Sequence, residues 1–161
     1  MKRKSISQVL MAAAPIVMVC GLLVSGVSAV AQSDHDRPCS NRTLLGDYGF
    51  AIDGVILAIP GVTLPPGGVP FRGVTMTHFD GNGNLTQLDH DVFNGAPQST
   101  DWAPVSGTYT INPDCTGTMV LIVTGNPLSP VNLHLVVVRR GREIHTVVDV
   151  NAVTSVGIKV D

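Results

Sequence analysis

A strand–turn–strand pattern in the middle of the chain constrains its fold more than any other feature. The segment 107–111 holds threonine, tyrosine and isoleucine, and 116–123 ends in a run of residues that favour strands. Asn112-Pro113-Asp114 favours a turn between them, because proline fixes its own φ and biases the preceding residue towards extended backbone. We expect Gly117 to provide the backbone freedom for re-entry into the sheet. The pattern predicts a β-hairpin with Cys115 in its turn.

Alternation with a period of two residues recurs through most of the chain, without a helical period. Clusters of glycine, proline and asparagine divide it into eight expected strands. These strands cover 46–53 (with a continuation towards 59), 71–79, 85–93, 107–111, 116–123, 131–139, 142–151 and 153–160. Short strands with short connections predict an all-β fold, a single antiparallel eight-stranded β-barrel, because closure removes unpaired edges. A two-sheet β-sandwich is the alternative.

The first 31 residues have the pattern of a signal peptide. A basic start, Met1–Lys4, precedes an apolar run, and Ala29-Val30-Ala31 matches a small-residue cleavage site. The apolar run approaches membrane-spanning length, so an uncleaved anchor is one alternative. A lipid anchor at Cys20 is another, although Val19 stands where such a signal favours a small residue. Cleavage predicts an exported protein, periplasmic or extracellular, that retains no membrane span.

Cleavage after Ala31 leaves 130 of the 161 residues, enough for one domain. We expect a polar lead-in at 32–43 and the barrel domain at 44–161. Three of the 10 basic residues lie in the leader, so seven remain against 12 acidic residues, a net charge near −5. This balance argues against nucleic acid or anionic lipid as a partner. Oligomeric state is left open.

Cys39 and Cys115 are the only cysteines beyond the expected leader. In an exported protein, two cysteines predict one disulfide, which here would tie the lead-in to the central turn. Two cysteines so far apart supply too few ligands for a metal site, so we expect none there. The chain contains neither a nucleophile elbow nor a phosphate loop. We therefore assign no catalytic residue and expect no cofactor.

Two polar clusters have both a chemical and a structural interpretation. The segment 80–84 offers oxygens at alternate positions, as a calcium loop does, but its Asp-Gly pair also favours a hairpin turn, which we prefer. Asp89 and Asp91 share one face of a strand, with His90 on the other. We expect this to be a solvated strand face. If the carboxyls faced inward, they would form an acid–base pair with mutually shifted pKa values.

The expected registers of two hairpins predict which side chains share a face of the sheet. If Val137 pairs with Ile144, His134 and His145 share a face and could begin a metal site, but this is the face that we assign to solvent. If Phe79 pairs with Leu85, neither face of that hairpin is uniformly apolar. One face then carries Thr75, Thr77, Gln87 and Asp89, so a partly polar lumen is expected along this hairpin.

Five residues are candidates for the interior of the barrel. They are Tyr48, Phe50, Phe79, Asp89 and Tyr109. Their structural role would be core packing, in which each tyrosine hydroxyl needs a hydrogen-bond partner. The alternative is a ligand cavity lined by aromatic rings and a few polar groups.

Three motifs give the chain a resemblance to a group of small exported bacterial proteins. They are Leu45-Gly46-Asp47-Tyr48-Gly49-Phe50, Phe79-Asp80-Gly81-Asn82-Gly83-Asn84-Leu85, and Gly107-Thr108-Tyr109 followed by Asp114-Cys115-Thr116-Gly117. The resemblance covers most of the chain after the leader, and the third motif is its most specific part. It implies an eight-stranded barrel of the broad allene-oxide-cyclase-like or calycin-like kind. Tyr48 departs from the lipocalin Gly-x-Trp signature, and no catalytic residue is carried over.

These observations lead to three functional hypotheses. The first is a non-enzymatic barrel that holds a small apolar ligand or serves as an accessory module of the cell envelope. The second is a cyclase or isomerase acting on an apolar substrate in the lumen, since a barrel can promote such a reaction mainly by shaping the bound substrate. The third is a structural or adhesive surface protein.

Overall fold

The computed structural model describes residues 38–99 and 101–161, in which nine β-strands form one antiparallel sheet. The strands are β1 Gly46–Ile56, β2 Val69–Phe79, β3 Asn84–Phe93, β4 Ala96–Pro97, β5 Ala103–Ile111, β6 Thr116–Ile122, β7 Val131–Val138, β8 Glu143–Val148 and β9 Ala152–Lys159. Two short 3-10 turns cover Asn41–Leu44 and Arg139–Gly141. The expected signal peptide and the first half of the expected lead-in, 32–37, lie outside the described residues.

The sheet closes on itself because β1 pairs with β9 as well as with β2. The remaining pairs follow chain order from β2 through β3, β5, β6, β7 and β8 to β9. The two-residue strand β4 only extends the edge of β3 and was not expected. The predicted antiparallel eight-stranded β-barrel is therefore confirmed, and the β-sandwich alternative is wrong.

Both hairpin registers expected from the sequence are present. Phe79 pairs with Leu85, and Val137 pairs with Ile144. One strand is shorter than expected, since β8 ends at Val148 and the chain turns away before Val150, which is 70% exposed. Register matters here because a slip of one residue would exchange the inward and outward side chains of a whole strand.

The central hairpin forms as expected, but Cys115, and not Gly117, adopts the backbone conformation that was expected of the glycine. The amide of Asn112 donates to the carbonyl of Thr116 over 2.8 Å, and that of Cys115 donates to the carbonyl of Asn112 over 3.0 Å. The positive φ of the turn, 69°, belongs to Cys115 and not to Gly117. Gly117 lies within β6, where an added Cβ would overlap the carbonyl oxygen of Thr110. Its small size, and not its backbone freedom, is what the sheet requires.

Side chains fill the half of the barrel where β1 begins, which we call the closed half. Its core consists of Leu44, Tyr48, Phe50, Phe79, Leu85, Tyr109, Ile111, Met119, Leu133, Leu135, Val137 and Ile144. The ring of Phe79 lies at its centre, with ring centroids 5.3 Å from Tyr48 and 4.9 Å from Tyr109, both in edge-to-face geometry. Such pairs add to the stabilisation that burial of the aromatic surface already gives.

Tyrosine hydroxyls connect this core to the turns that cover it. Tyr109 Oη accepts from the amide of Gly81 over 3.0 Å and donates to the carbonyl of Asn41 over 3.2 Å. Tyr48 Oη donates to the carbonyl of Gly141, and burial raises the pKa of Tyr48 to about 12. Each buried hydroxyl thus has the partner that it needs. The segment Asn41–Leu44 therefore acts as a cap on the closed half.

Cys39 and Cys115 lie at disulfide-bonding distance, with Cα atoms 5.0 Å apart, as predicted. The amide of Cys39 donates to the carbonyl of Pro113 over 3.1 Å, so backbone and sulfur both tie the cap to the central hairpin. The two cysteines are 76 positions apart in the chain. A cross-link over so long a loop restricts the unfolded chain strongly.

Replacement of both cysteines by serine should lower the free energy of unfolding of the oxidised protein by about 2–4 kcal/mol. The physical reason is the larger conformational entropy of the unfolded chain without the cross-link. Urea denaturation followed by circular dichroism measures the difference. A reducing agent should destabilise the wild-type protein and leave the double variant unchanged; equal stability of the two oxidised proteins would contradict the disulfide.

Candidate functional site

The opposite half of the barrel contains a cavity of about 140 Å³. It lies where β1, β3, β6 and β8 end, away from the cap. An eight-stranded barrel is just wide enough to be filled by side chains or to hold one small ligand. In this barrel, side chains fill one half and leave a cavity in the other. The wall is mostly apolar, with the rings of Phe50, Phe71 and Phe93 among the lining residues.

Apolar residues from two loops pack against the rim of the barrel at the hollow half. Ile56, Phe71 and Val153 form a small second core, against which Leu64 of the β1–β2 loop and Leu128 of the β6–β7 loop pack. The side chain of Asn151 holds the first of these loops in place. Its Oδ1 accepts from the amides of Leu57 and Ala58 over 2.7 and 3.0 Å. These loops are thus anchored on the barrel rim.

The hairpin β2–β3 places five polar residues inside the barrel, Thr75, Thr77, Gln87, Asp89 and Asp91, and all but Thr77 line the cavity. Thr77 pairs with Gln87 across the strands, and Thr75 pairs with Asp89. Thr77 Oγ1 donates to Gln87 Oε1 over 2.6 Å, and the hydroxyls of Thr75 and Thr77 are 3.3 Å apart. The partly polar lumen expected along this hairpin is present, because all five residues are in phase with the inward Phe79 and Leu85.

Asp89 and Asp91 face into the barrel, so the expectation of a solvated strand face is wrong. Asp89 is only 7% exposed and lines the cavity together with Asp91. His90 points to the outer surface, where its ring centroid lies 5.9 Å from that of Trp102. The strand partner of Asp91 is Gly73, and a Cβ at that position would overlap Asp91 Oδ1. The missing side chain of Gly73 makes room for this carboxyl group.

The two carboxyl groups are incompletely satisfied. Oδ1 of Asp89 and Oδ1 of Asp91 are buried without a hydrogen-bond partner. Burial raises the pKa of Asp89 to about 7; hydrogen bonding from Gln87 opposes this shift, and the charge of Asp91 adds to it. Burial also raises the pKa of Asp91 to about 6, with the nearby His90 opposing the shift. Both groups therefore change charge close to neutral pH.

The opposite wall offers hydroxyl groups and no positive charge. The hydroxyls of Thr146 on β8 and Ser155 on β9 are 2.7 Å apart. Within residues 38–99 and 101–161, the titratable side chains that line the cavity are all aspartates: Asp89, Asp91 and Asp149. Asp149 Oδ1 lies 2.6 Å from Nδ1 of His134 at the barrel rim. The site is thus a mostly apolar cavity with two inward-facing carboxyl groups on β3 and hydroxyl groups on the opposite side.

All five candidate interior residues are buried inside the barrel, but the structure separates them. Phe50 and Asp89 line the cavity, whereas Tyr48, Phe79 and Tyr109 pack in the closed half. Sequence reasoning did not single out Phe71 and Phe93, whose ring centroids are 4.7 Å apart. The signal was available, because Phe71 is in phase with the inward Phe79 and Phe93 with the inward Leu85.

The other polar clusters of the sequence have structural roles. Asp80 Oδ1 accepts from the amides of Asn82 and Asn84 over 2.7 and 3.0 Å, as in a hairpin turn. Hydrogen bonds from Asn84 lower the pKa of Asp80 to about 2. His134 and His145 are both exposed on the outer surface, and His145 Nε2 lies 2.7 Å from Glu143 Oε1. In the described part of the chain, no three His, Cys, Asp or Glu residues are placed to hold a metal ion.

No protein-family model, curated protein or solved structure matches the chain. Among the residues that the structure describes, no helix is long and apolar enough to cross a bilayer. The fold and the cavity define the class instead: a closed antiparallel eight-stranded barrel, filled and capped in one half and hollow in the other.

Asp89→Asn should increase the free energy of unfolding at pH 8 by about 1–3 kcal/mol. The pKa of Asp89 rises from 3.8 to about 7 on folding, so the folded protein binds a proton more tightly than the unfolded chain. The contribution of Asp89 to the free energy of unfolding is therefore largest below pH 4 and is lost as pH rises to about 7. The variant should therefore show a flatter stability profile between these pH values. Urea denaturation from pH 4 to pH 8 measures both profiles. Asp53→Asn, at an exposed aspartate of β1, is the control and should leave the profile unchanged; parallel profiles of wild type and D89N would contradict the shifted pKa.

Proposed function

We propose that the protein is an exported barrel that binds a small, largely apolar molecule in the hollow half. The observation that carries the proposal is the cavity of about 140 Å³, with three phenylalanine rings in its wall and the carboxyl groups of Asp89 and Asp91 on one strand. Small-molecule sites commonly combine a mostly apolar wall with a few placed polar groups that orient the ligand. The leader pattern at 1–31 supports export.

The volume of the cavity limits the size of the ligand. An engineered apolar cavity of about 150 Å³ in another protein admits benzene, whereas pockets for drug-sized molecules measure about 300–1,000 Å³. A cavity of about 140 Å³ therefore suits a body of about one ring. Larger ligands would require displacement of lining residues such as Leu128 of the β6–β7 loop.

Val148→Phe should abolish binding of toluene, because the larger side chain would occupy the cavity that Val148 lines. The matched control is Val147→Phe, since the neighbouring Val147 is exposed on the outer surface of the same strand. Ligand-observed NMR with the purified protein measures binding. We expect wild type and V147F to bind and V148F to show at least about a tenfold weaker interaction, as for the loss of a well-packed ring. Equal binding by both variants would place the ligand elsewhere.

A second candidate function is proton transfer by the pair Asp89 and Asp91, as an isomerase or cyclase would require. Two carboxyl groups with raised pKa values, about 7 and about 6, face an apolar cavity with one oxygen each unpartnered. A base is most effective when its pKa lies near the working pH. The substrate class would be a small apolar carbonyl compound with an acidic C–H bond.

Exchange of the methyl protons of acetophenone in D₂O tests this second candidate. The wild-type protein should accelerate exchange, and Asp89→Asn should slow it by about 10²-fold, the typical contribution of a positioned base. Asp53→Asn is the control for the loss of one surface charge. Exchange no faster than with an equal concentration of acetate would exclude this function and leave ligand binding in place.

A further inference from the structure

We infer that the ligand of this cavity is a small amine, an ammonium group on an apolar body of about one ring, with the ammonium held between Asp89 and Asp91. The inference rests on the proposed binding function and names the chemical class of its ligand. It depends on three observations: the unsatisfied buried acceptors, the absence of a cation in the described wall, and the placement of both of these carboxyl groups on one face of β3.

The unsatisfied acceptors call for hydrogen-bond donors. An ionised carboxylate only accepts hydrogen bonds, and a buried one is costly unless it is paired. Asp89 is more than nine-tenths buried, lines the cavity and has a buried Oδ1 without a hydrogen-bond partner. Asp91 is half-buried and also lines the cavity, and its Oδ1 is likewise buried without a partner. An ammonium group carries three donors and a positive charge, which matches two acidic groups on one strand face better than a single hydroxyl does.

The described side chains around the pair do not supply that charge. On β2, the residues facing the pair are Gly73 and Thr75, which do not titrate. On β5, the strand on the other side, Asp89 pairs with Ala103. Across the cavity, the hydroxyls of Thr146 and Ser155 bond to each other. Asp149, at the rim, is acidic as well.

The nearest basic residues of the hairpin lie on the outer surface with partners of their own. Arg72 forms an ion pair with Asp53, and His78 Nδ1 lies 2.6 Å from Asp47 Oδ1. His90 stacks at an angle beside Trp102 on the same outer face. In the described wall, the titratable groups that line the cavity are therefore all acidic, and a cation beside them would come from the ligand.

The arrangement of the wall orients such a ligand. The acidic groups lie on β3, and the Asp91 carboxyl occupies the space that the absent side chain of Gly73 leaves. The rings of Phe50, Phe71 and Phe93 provide apolar and aromatic surface for the body of the ligand. An aromatic face also attracts an adjacent cation. One end of the ligand is thus recognised by charge and the other by apolar contact.

Binding should depend on pH in a direction that the carboxyl groups set. With pKa values of about 7 and about 6, both groups are ionised at pH 8 and both are mostly protonated at pH 5. An alkylammonium group stays protonated over this range, since the lysine side chain has a pKa of about 10.4. Amine affinity should therefore fall as pH drops from 8 to 5, while the affinity for a neutral analogue should not fall.

Isothermal titration of the purified protein with benzylamine, benzyl alcohol and toluene tests the inference. The first two differ only in the group that would meet Asp89 and Asp91, and toluene measures the apolar contribution. At pH 8 we expect benzylamine to bind at least about tenfold more tightly than benzyl alcohol. Asp89→Asn should reduce this ratio to about one and leave toluene binding intact, whereas the control Asp53→Asn should keep the ratio.

The outcomes separate the inference from the function on which it rests. Binding of benzyl alcohol and toluene without a preference for benzylamine at pH 8 would overturn the amine inference alone. If D53N reduced the preference for benzylamine as much as D89N does, the preference would reflect general charge attraction, and this result would also overturn the amine inference. Failure of all three probes to bind would overturn the proposed binding function and, with it, the inference.

Discussion

The register of the hairpin β2–β3 is the constraint on which both the core and the site depend. Phe79 opposite Leu85 sets the phase of two long strands, and the positions that follow at intervals of two enter the barrel. The same phase that buries Phe79 in the closed half brings Asp89 and Asp91 into the hollow half. A slip of one residue would expose the aromatic core and send the carboxyl groups to solvent. Core packing therefore enforces the burial of two acidic groups.

The two halves of the barrel interior differ in how completely they are packed. The closed half has the aromatic cluster, the tyrosine hydrogen bonds and the Cys39–Cys115 link, and each of its buried hydroxyls is satisfied. The hollow half has a mostly apolar lining around an unfilled cavity and two buried acceptors without partners. Groups of this kind cost stability, and they occur where a protein contacts something other than itself. The well-packed half provides the stability that the hollow half lacks.

The motifs that stand out in the sequence belong mainly to the closed half. Tyr48, the turn that begins at Asp80, Tyr109 and Cys115 all lie where the cap meets the strand ends. Turns, caps and cysteines leave distinctive residue patterns because few residue types satisfy their geometry. An apolar cavity has no such requirement, since many side chains can line it. The segments with the most recognisable sequence motifs are therefore not the segments that form the candidate site.

The sequence by itself determined the eight strands of the barrel, the antiparallel hairpins, two registers and the cysteine pair, because turn chemistry and alternation are local properties. It also placed Asp89 on a strand face together with Thr75 and Gln87. Only the tertiary structure decided that this face is the inner one, because neither face of the hairpin is uniformly apolar and closure with β1 and β5 makes the choice. Closure likewise decided which half is filled, since the volume left between eight strands depends on side chains that are distant in the chain.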